Sequence, residues 1–248
     1  MTYRAVVSSD WNQCLAPAGP FDSISFHYQD LTAALTAIFK EYTGNAMSFR
    51  EAIERIQAII PSPISEDQMD AYLDSCFKTY SGVPELIKWC LSKDILFMIN
   101  TTGPHGYFQR VFAKGLLPQI PAISASPFIR YPRKTSDPAF VYDLFDTLDK
   151  PKHTETVLRT HGIPASKAIL IGDSGGDGPH LKWGSGVGAY LIGSMTKESL
   201  REYCADRGIA IDLHFGVLDT GGQVRTQEEE MQVDFMELSS VIEAVLNL

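Results

Sequence analysis

The fold can be read from one stretch of the chain, Ala168-Ile169-Leu170-Ile171-Gly172-Asp173-Ser174-Gly175-Gly176-Asp177. Its apolar run is too short for a helix and is typical of a strand buried on both faces of a parallel sheet. The Gly-Asp-Ser-Gly-Gly-Asp segment behind it has the composition of a turn and carries two carboxylates. Because ligands of open α/β sheets bind beyond the carboxyl ends of the strands, the stretch predicts one strand and part of a site.

Three other short apolar runs have the same character, at Ala5-Val6-Val7, Ile95-Leu96-Phe97-Met98-Ile99 and Val187-Gly188-Ala189-Tyr190-Leu191-Ile192. Segments of helical period lie between them, and one of these helices opens at Pro84-Glu85. Strands that alternate with helices predict an α/β protein with a Rossmann-like, mostly parallel sheet and helices on both faces.

The interval between the first two strands contains no strand-like run and three predicted helices. Two of them open with capping-box patterns, Ser48-x-x-Glu51 and Ser65-x-x-Gln68. We therefore expect residues 16–80 to form a small all-helical cap, inserted after the first strand of a core made of residues 1–15 and 81–248.

The end of the chain is less regular. Residues 235–246 have the pattern of a final amphipathic helix, whereas residues 214–234 predict either a hairpin or a loop that contacts a partner subunit. Thr220-Gly221-Gly222 indicates a turn within that segment.

Composition excludes several classes of protein. The 248 residues carry 21 Lys+Arg against 30 Asp+Glu, a formal charge of −9, which argues against general affinity for nucleic acid or anionic membranes. No apolar run approaches the roughly 18 residues that cross a bilayer, and no signal peptide is visible. The 4 cysteines are widely scattered and form no C-x-x-C pair, as is typical of a reduced, cytoplasmic protein.

Polar residues follow two further strands. Ser9-Asp10-Trp11-Asn12 follows the first strand and Asn100-Thr101-Thr102-Gly103 the second, and Asp149-Lys150-Pro151-Lys152 lies just before the helix that precedes the third site. Each piece alone is more simply a turn, a helix cap or a surface lysine. Their conjunction at one sheet edge, in this chain order, favours a shared site.

Read in order, these segments resemble the four motifs of the haloacid dehalogenase-like (HAD) hydrolases, most of which are magnesium-dependent phosphatases. The first motif is a strand ending in Asp10, and the second is a strand ending at Asn100 to Thr102. Lys150 fits the motif lysine, and Gly172 to Asp177 matches G-D-x-x-x-D in full. A helical insert between the first two motifs is similar to the C1 cap of the phosphoserine phosphatase-like members.

The resemblance implies an aspartyl-phosphate intermediate on Asp10 and a small phosphorylated metabolite as substrate. It implies that the Mg²⁺ ligands are Asp10, Asp173, Asp177 and the backbone carbonyl of Asn12. It also implies that the phosphoryl oxygens are bound by Asn100, Thr101 and Thr102. Lys150 would be the cation that neutralises their charge, or Lys152 if the motif lysine is two residues further along. Oxygen ligands of this kind are those that Mg²⁺ prefers.

Asn12 departs from the family, whose phosphatases carry an acid-base Asp at this position. An amide cannot protonate a leaving group, a role worth roughly 10²–10⁴ in rate. Three outcomes follow: a substrate that needs no such acid, a carbon–phosphorus hydrolase similar to phosphonoacetaldehyde hydrolase, or a protein that binds phosphate ligands without turnover. The second would use a Schiff-base lysine of the cap, for which Lys40 and Lys78 are the candidates.

Overall fold

One parallel sheet of seven strands organises the computed structural model, which describes residues 2–44, 46–219 and 226–247. The strands are β1 (Ala5–Ser9), β2 (Ile95–Pro104), β3 (Ala122–Ser126), β4 (Phe140–Asp143), β5 (Ala168–Gly172), β6 (Tyr190–Ser194) and β7 (Leu213–Phe215). Their spatial order is β4-β3-β2-β1-β5-β6-β7, and every pairing is parallel. β1 is therefore central, and β2 and β5 flank it.

The central strands are apolar because helices cover both faces of the sheet. Along β1, Val7 belongs to the apolar cluster on one face and Val6 to the cluster on the other. Phe97 and Leu96 divide in the same way along β2, as expected where successive side chains alternate between faces. The predicted α/β class, with its Rossmann-like parallel sheet and helices on both faces, is confirmed.

Residues 16–80 contain four α-helices and, among the residues described, no strand. They are α1 (Asp22–His27), α2 (Thr32–Thr43), α3 (Phe49–Ile59) and α4 (Glu66–Cys76). The three predicted helices are confirmed, and α1 is an additional short one. Tyr80 donates its backbone N–H to the carbonyl of Leu15 at 3.1 Å, so the two ends of this helical insert meet. The boundaries drawn at residues 15/16 and 80/81 stay a prediction.

The two predicted capping boxes differ in outcome. At α4, the Ser65 hydroxyl accepts the N–H of Gln68 and the Gln68 side chain accepts the N–H of Ser65, so the box is complete. At α3, Ser48 caps the N–H of Glu51, but the Glu51 carboxylate pairs with Arg55 at 2.7 Å. A nearby cation thus takes the carboxylate away from the helix end.

Seven helices belong to the rest of the described chain: α5 (Val83–Ser92), α6 (His105–Ala113), α7 (Asp149–His161), α8 (Gly178–Val187), α9 (Glu198–Ala205), α10 (Gln227–Glu230) and α11 (Leu238–Leu246). The predicted strand beginning at Val187 starts too early. Gly188 has φ 75° and ends α8 in the left-handed conformation, so the chain becomes extended only at Tyr190.

The final amphipathic helix is present as α11, preceded by a 3₁₀ turn at Phe235–Glu237. In the preceding segment, β7 pairs parallel to β6, so it is not one arm of a hairpin. The turn predicted at Thr220-Gly221-Gly222 lies outside the described residues. No helix in the described part of the chain has the length and apolar character needed to span a membrane.

Candidate active site

Three carboxylates from two neighbouring strand ends meet at the carboxyl edge of the sheet. Asp10 follows β1, and Asp173 and Asp177 follow β5. One oxygen of each lies within 4.8 Å of the others, and the residues are only 6%, 1% and 2% exposed. Three buried carboxylates this close repel one another unless cations offset their charge.

The Gly-Asp-Ser-Gly-Gly-Asp segment folds back so that Asp177 faces the start of the turn. Its Oδ2 accepts the backbone N–H groups of Asp173 at 3.0 Å and Ser174 at 3.2 Å. Gly172 is required for this approach, because a Cβ at that position would stand 2.6 Å from the Asp177 Cβ. The turn therefore fixes one oxygen of Asp177 and leaves Oδ1 directed at a cation.

Lys150 is that cation. It lies in the first turn of α7, is 2% exposed, and places Nζ 2.9 Å from Asp10 Oδ1 and 2.5 Å from Asp177 Oδ1. Lys152 points elsewhere: its side chain is 68% exposed and pairs with Asp149 at 3.0 Å. Residues two positions apart on a helix point to different faces, so only one of these lysines can reach the cluster. The structure does not bring Lys152 to the site.

The electrostatics of the cluster follow from burial and from these lysine contacts. Burial raises the pKa of Asp10, although Lys150 opposes the shift. Burial also raises the pKa of Asp173, to about 7, with a smaller contribution from its carboxylate neighbours. Asp177 keeps a pKa below its usual value despite burial, because Lys150 and two backbone N–H groups stabilise the ionised form. Asp10 and Asp177, which contact its ammonium group, raise the pKa of Lys150, although burial lowers it.

The two threonines of the second predicted motif make different contacts. Thr102 lines a narrow space of about 20 Å³ together with Asp10 and Lys150. The Thr101 hydroxyl instead donates to Asn12 Oδ1 at 3.2 Å and accepts the N–H of Gly103 at 3.0 Å. Of the three predicted phosphoryl-binding residues, Thr102 is the one that borders this space.

Asn100 lies behind the cluster and anchors α7. Its Nδ2 donates to the backbone carbonyl of Lys150 at 2.9 Å and contacts Thr154 Oγ1 at 3.1 Å and Ser8 Oγ at 3.3 Å. Thr154 Oγ1 also bonds His180 Nε2 at 2.9 Å. Asn100, Thr154, Ser8 and His180 are at most 1% exposed, so this buried network holds the first turn of α7 against the sheet.

Asn12 is held by both ends of its side-chain amide. Its Oδ1 accepts from Thr101, and its Nδ2 donates to the Ala18 carbonyl at 3.1 Å. The amide links β2 to the start of the helical insert. The predicted role of its backbone carbonyl as a metal ligand stays a prediction.

The donor set fits a hard divalent cation. Asp10, Asp173 and Asp177 offer clustered carboxylate oxygens, and Mg²⁺ is bound by oxygen ligands of this kind. Burial raises the pKa of Asp173 to about 7, and Asp177 and Asp10 add to the rise while Lys197 opposes it, so a further cation at the cluster would stabilise the ionised carboxylate. These three residues could therefore hold the metal.

A second lysine reaches the cluster, and the sequence reasoning missed it. Lys197 follows β6 and places Nζ 2.5 Å from Asp173 Oδ2, while its backbone N–H bonds the Asp173 carbonyl at 2.8 Å. Its only signal in the sequence was its place after a strand neighbouring β5. A polar residue at that place belongs to the same sheet edge.

The helical insert covers the cluster. Pro20, Phe39, Tyr42 and Thr43 line the narrow space from the insert side. A larger cavity of about 800 Å³ lies beside it, lined by residues of the insert and of the core, and Lys197 forms part of its wall. Lys78 also lines this cavity, whereas Lys40 does not.

The fold is shared with known phosphatases at low sequence identity. A phosphoserine phosphatase solved as a phospho-aspartyl intermediate analogue superposes with a TM-score of 0.67 at 15% identity, over 96% of this chain and 99% of that one. A HAD family hydrolase from Salmonella enterica subsp. enterica serovar Typhi gives 0.66 at 16%, over 98% and 72%. A phosphoserine phosphohydrolase-like protein from Francisella tularensis gives 0.54 at 15%, over 86% and 94%.

No protein-family model matches the sequence, and no curated protein does. The structural likeness nevertheless agrees with the resemblance found in the four sequence motifs. The chain has a HAD-like fold of the phosphoserine phosphatase type.

Proposed function

We propose that the protein is a Mg²⁺-dependent phosphatase that hydrolyses a small phosphorylated metabolite through an aspartyl-phosphate on Asp10. The observation that carries the proposal is the buried convergence of Asp10, Asp173, Asp177 and Lys150 at the carboxyl edge of the sheet. A carboxylate beside a lysine and two further carboxylates is suited to nucleophilic attack on phosphorus, with a cation to offset the charge.

The proposed nucleophile is one oxygen of Asp10. Its other oxygen would bind the cation, and Lys150, 2.9 Å from Oδ1, opposes the rise in the pKa of Asp10 that burial causes. Lys150 and Thr102 line the narrow space next to Asp10 and would contact the phosphoryl oxygens. A fixed ammonium group in a buried site stabilises the charge of the transition state without reorganisation.

Asp10, Asp173, Asp177 and the Asn12 backbone carbonyl would hold the metal. When bound, Mg²⁺ supplies positive charge to the phosphoryl oxygens and offsets their repulsion from the carboxylates. The N–H groups of Asp173 and Ser174 orient Asp177, whose other oxygen already faces a cation, Lys150.

The formal charge of −9 supports a small-molecule substrate rather than a polyanion such as nucleic acid, and argues against binding to anionic membranes. The scattered cysteines support a cytoplasmic location. The cavity of about 800 Å³ beside the cluster has the volume of a small-molecule site.

The decisive experiment compares wild type with Asp10→Asn on a panel of phosphate monoesters in the presence of Mg²⁺. We expect turnover in the wild type, at least 10³-fold less in the variant, and an acid-stable trapped phosphoprotein in the wild type alone. Equal turnover in both proteins would remove the phosphatase assignment. Asp74→Asn, which removes an exposed carboxylate paired with Lys114, is the matched control.

Asn12→Asp tests the departure from the family. An added acid should raise the hydrolysis rate of esters with poor leaving groups by up to about 10²-fold. The rate for esters with good leaving groups should stay nearly unchanged. An unchanged preference would mean that Asn12 is not a lost general acid. A protein that only binds phosphate ligands would show neither turnover nor rescue.

Carbon–phosphorus hydrolysis is the second candidate, and the place of Lys78 in the cavity wall favours its test. A Schiff base on Lys78 would be trapped by borohydride in the presence of phosphonoacetaldehyde, giving a stable mass increase. Lys40→Met should label like wild type, whereas Lys78→Met should not. Absence of labelling in the wild type removes this candidate.

A further inference from the structure

Lys197 stands between the carboxylate cluster and the larger cavity. Its Nζ contacts Asp173, and the same side chain, 21% exposed, forms part of the cavity wall. On the insert side, Nζ lies 5.8 Å from the centre of the Phe39 ring. Among the lysines of the described residues, Lys150 also contacts the cluster, but it is enclosed and does not line the cavity.

The backbone around Lys197 is fixed while its ammonium group can move. The N–H of Lys197 bonds the Asp173 carbonyl, so the side chain starts from a defined point at the end of β5. From there, the long flexible stem of a lysine lets Nζ turn from Asp173 towards a ligand in the cavity. Lys150 lacks this freedom, because Asp10 and Asp177 hold its ammonium group from both sides.

The leaving oxygen of a substrate would lie on this side. In phosphoryl transfer the attacking and leaving oxygens are roughly in line through phosphorus, so the leaving oxygen points away from Asp10. The helical insert covers the cluster; Lys197 contacts Asp173 and also lines the larger cavity, so it links the cluster to a space with room for an alcohol group. Asn12 cannot protonate the leaving oxygen, and its side-chain amide is already hydrogen-bonded to Thr101 and Ala18.

We propose that Lys197 is a further catalytic residue whose ammonium N–H donates a hydrogen bond to the leaving oxygen as the P–O bond breaks. The proposal rests on the proposed phosphatase function. Asp10 forms the new P–O bond, and the electron pair of the breaking bond stays on the leaving oxygen as alkoxide. The alkoxide takes a proton from water, and the resulting hydroxide hydrolyses the aspartyl-phosphate, so alcohol and phosphate are the products.

This role predicts sensitivity to the leaving group. In the presence of Mg²⁺, we would measure kcat/KM for phenyl phosphates from the 4-nitro ester to the unsubstituted ester. Lys197→Met should lose about 10²-fold on phenyl phosphate, the cost of one oxyanion donor. It should lose tenfold or less (about 1.4 kcal/mol) on the 4-nitro ester, whose phenolate needs less stabilisation. Lys197→Arg should recover part of the loss, and Lys182→Met, an exposed lysine of α8, should match wild type.

A structural role through Asp173 has a different signature. In that case Lys197→Met would alter the Mg²⁺ affinity measured by calorimetry and would lower kcat/KM for every ester by the same factor. That result would overturn the proposal. Equal activity of the variant and wild type across the series would overturn it as well.

Orthovanadate provides a readout that needs no turnover, because one of its oxygens occupies the position of the leaving oxygen. Its affinity, measured by calorimetry with Mg²⁺, should fall about tenfold in Lys197→Met and stay constant in Lys182→Met. Wild type that binds vanadate but hydrolyses no ester would contradict the phosphatase function, while the vanadate comparison still decides the contact made by Lys197. Wild type that binds no vanadate would overturn both.

Discussion

Replacement of Asp173 by Asn should stabilise the metal-free protein at neutral and alkaline pH. Asp173 is 1% exposed, and burial raises its pKa from the ordinary 3.8 to about 7. The folded state therefore holds a proton that the unfolded state has lost, and stability falls as pH rises from about 4 to about 7. At about 1.36 kcal/mol for each pH unit, the unfolding free energy lost is about 4 kcal/mol.

Asn at this position carries no charge to desolvate, so the variant should escape that loss. Lys197, the partner of Asp173, is 21% exposed and can be solvated when the carboxylate is gone. We expect equal stability of the two proteins near pH 4 and an advantage of up to about 4 kcal/mol for Asp173→Asn at pH 8. Urea unfolding at several pH values, in the presence of a chelator, measures this difference.

Addition of Mg²⁺ should narrow the advantage of Asp173→Asn at pH 8, and Mg²⁺ at about 1,000 times its dissociation constant should cancel it. Wild type gains stability by mass action, about 2.7 kcal/mol when Mg²⁺ stands at 100 times its dissociation constant, and the variant gains much less. Asp74→Asn, which removes an exposed carboxylate paired with Lys114, is the control and should show neither effect. The reasoning is refuted if Asp173→Asn is less stable than wild type at pH 8 without metal, or if the difference does not grow with pH.

Three further changes test the surroundings of the cluster. Lys150→Met leaves two buried carboxylates without their cation, so we expect a loss of about 3–5 kcal/mol in urea unfolding at pH 7. Gly172→Ala places a Cβ 2.6 Å from that of Asp177, so calorimetry should show at least tenfold weaker Mg²⁺ binding. Thr154→Val removes the hydroxyl between Ser8, Asn100 and His180 and should cost about 1–3 kcal/mol in unfolding free energy.

The sequence predicts those strands whose buried side chains are apolar. β1, β2 and β5 are apolar runs because both of their faces lie under helices. β3 escapes detection because its sequence, AISAS, is fully buried yet built from small and polar residues. β4 is an edge strand of partly buried residues, so its pattern is weaker still. β3 and β4 are strands because of their place in the folded sheet, and the composition of these segments does not indicate that place.

The candidate site shows the same limit at the level of single side chains. Motif order leads to Asp10, Asp173 and Asp177 because parallel strand ends must meet at one edge. The choice between Lys150 and Lys152 depends on the rotation of α7, which the Asn100 bond to the Lys150 carbonyl sets. That contact joins residues 50 positions apart, so no local pattern could reveal it.

Charge balance offers a physical reason for an amide at position 12. The three carboxylates of the cluster meet two ammonium groups, from Lys150 and Lys197, and a divalent cation would leave a net charge of about +1 before substrate binds. A phosphate dianion is attracted to such a site, whereas a fourth carboxylate beside it would cancel the excess. Asn12 keeps its bonds to Thr101 and Ala18 without adding that charge. If the proposed function holds, an amide at position 12 supplies no proton but leaves the site with an excess of positive charge that would attract a phosphate dianion to Asp10.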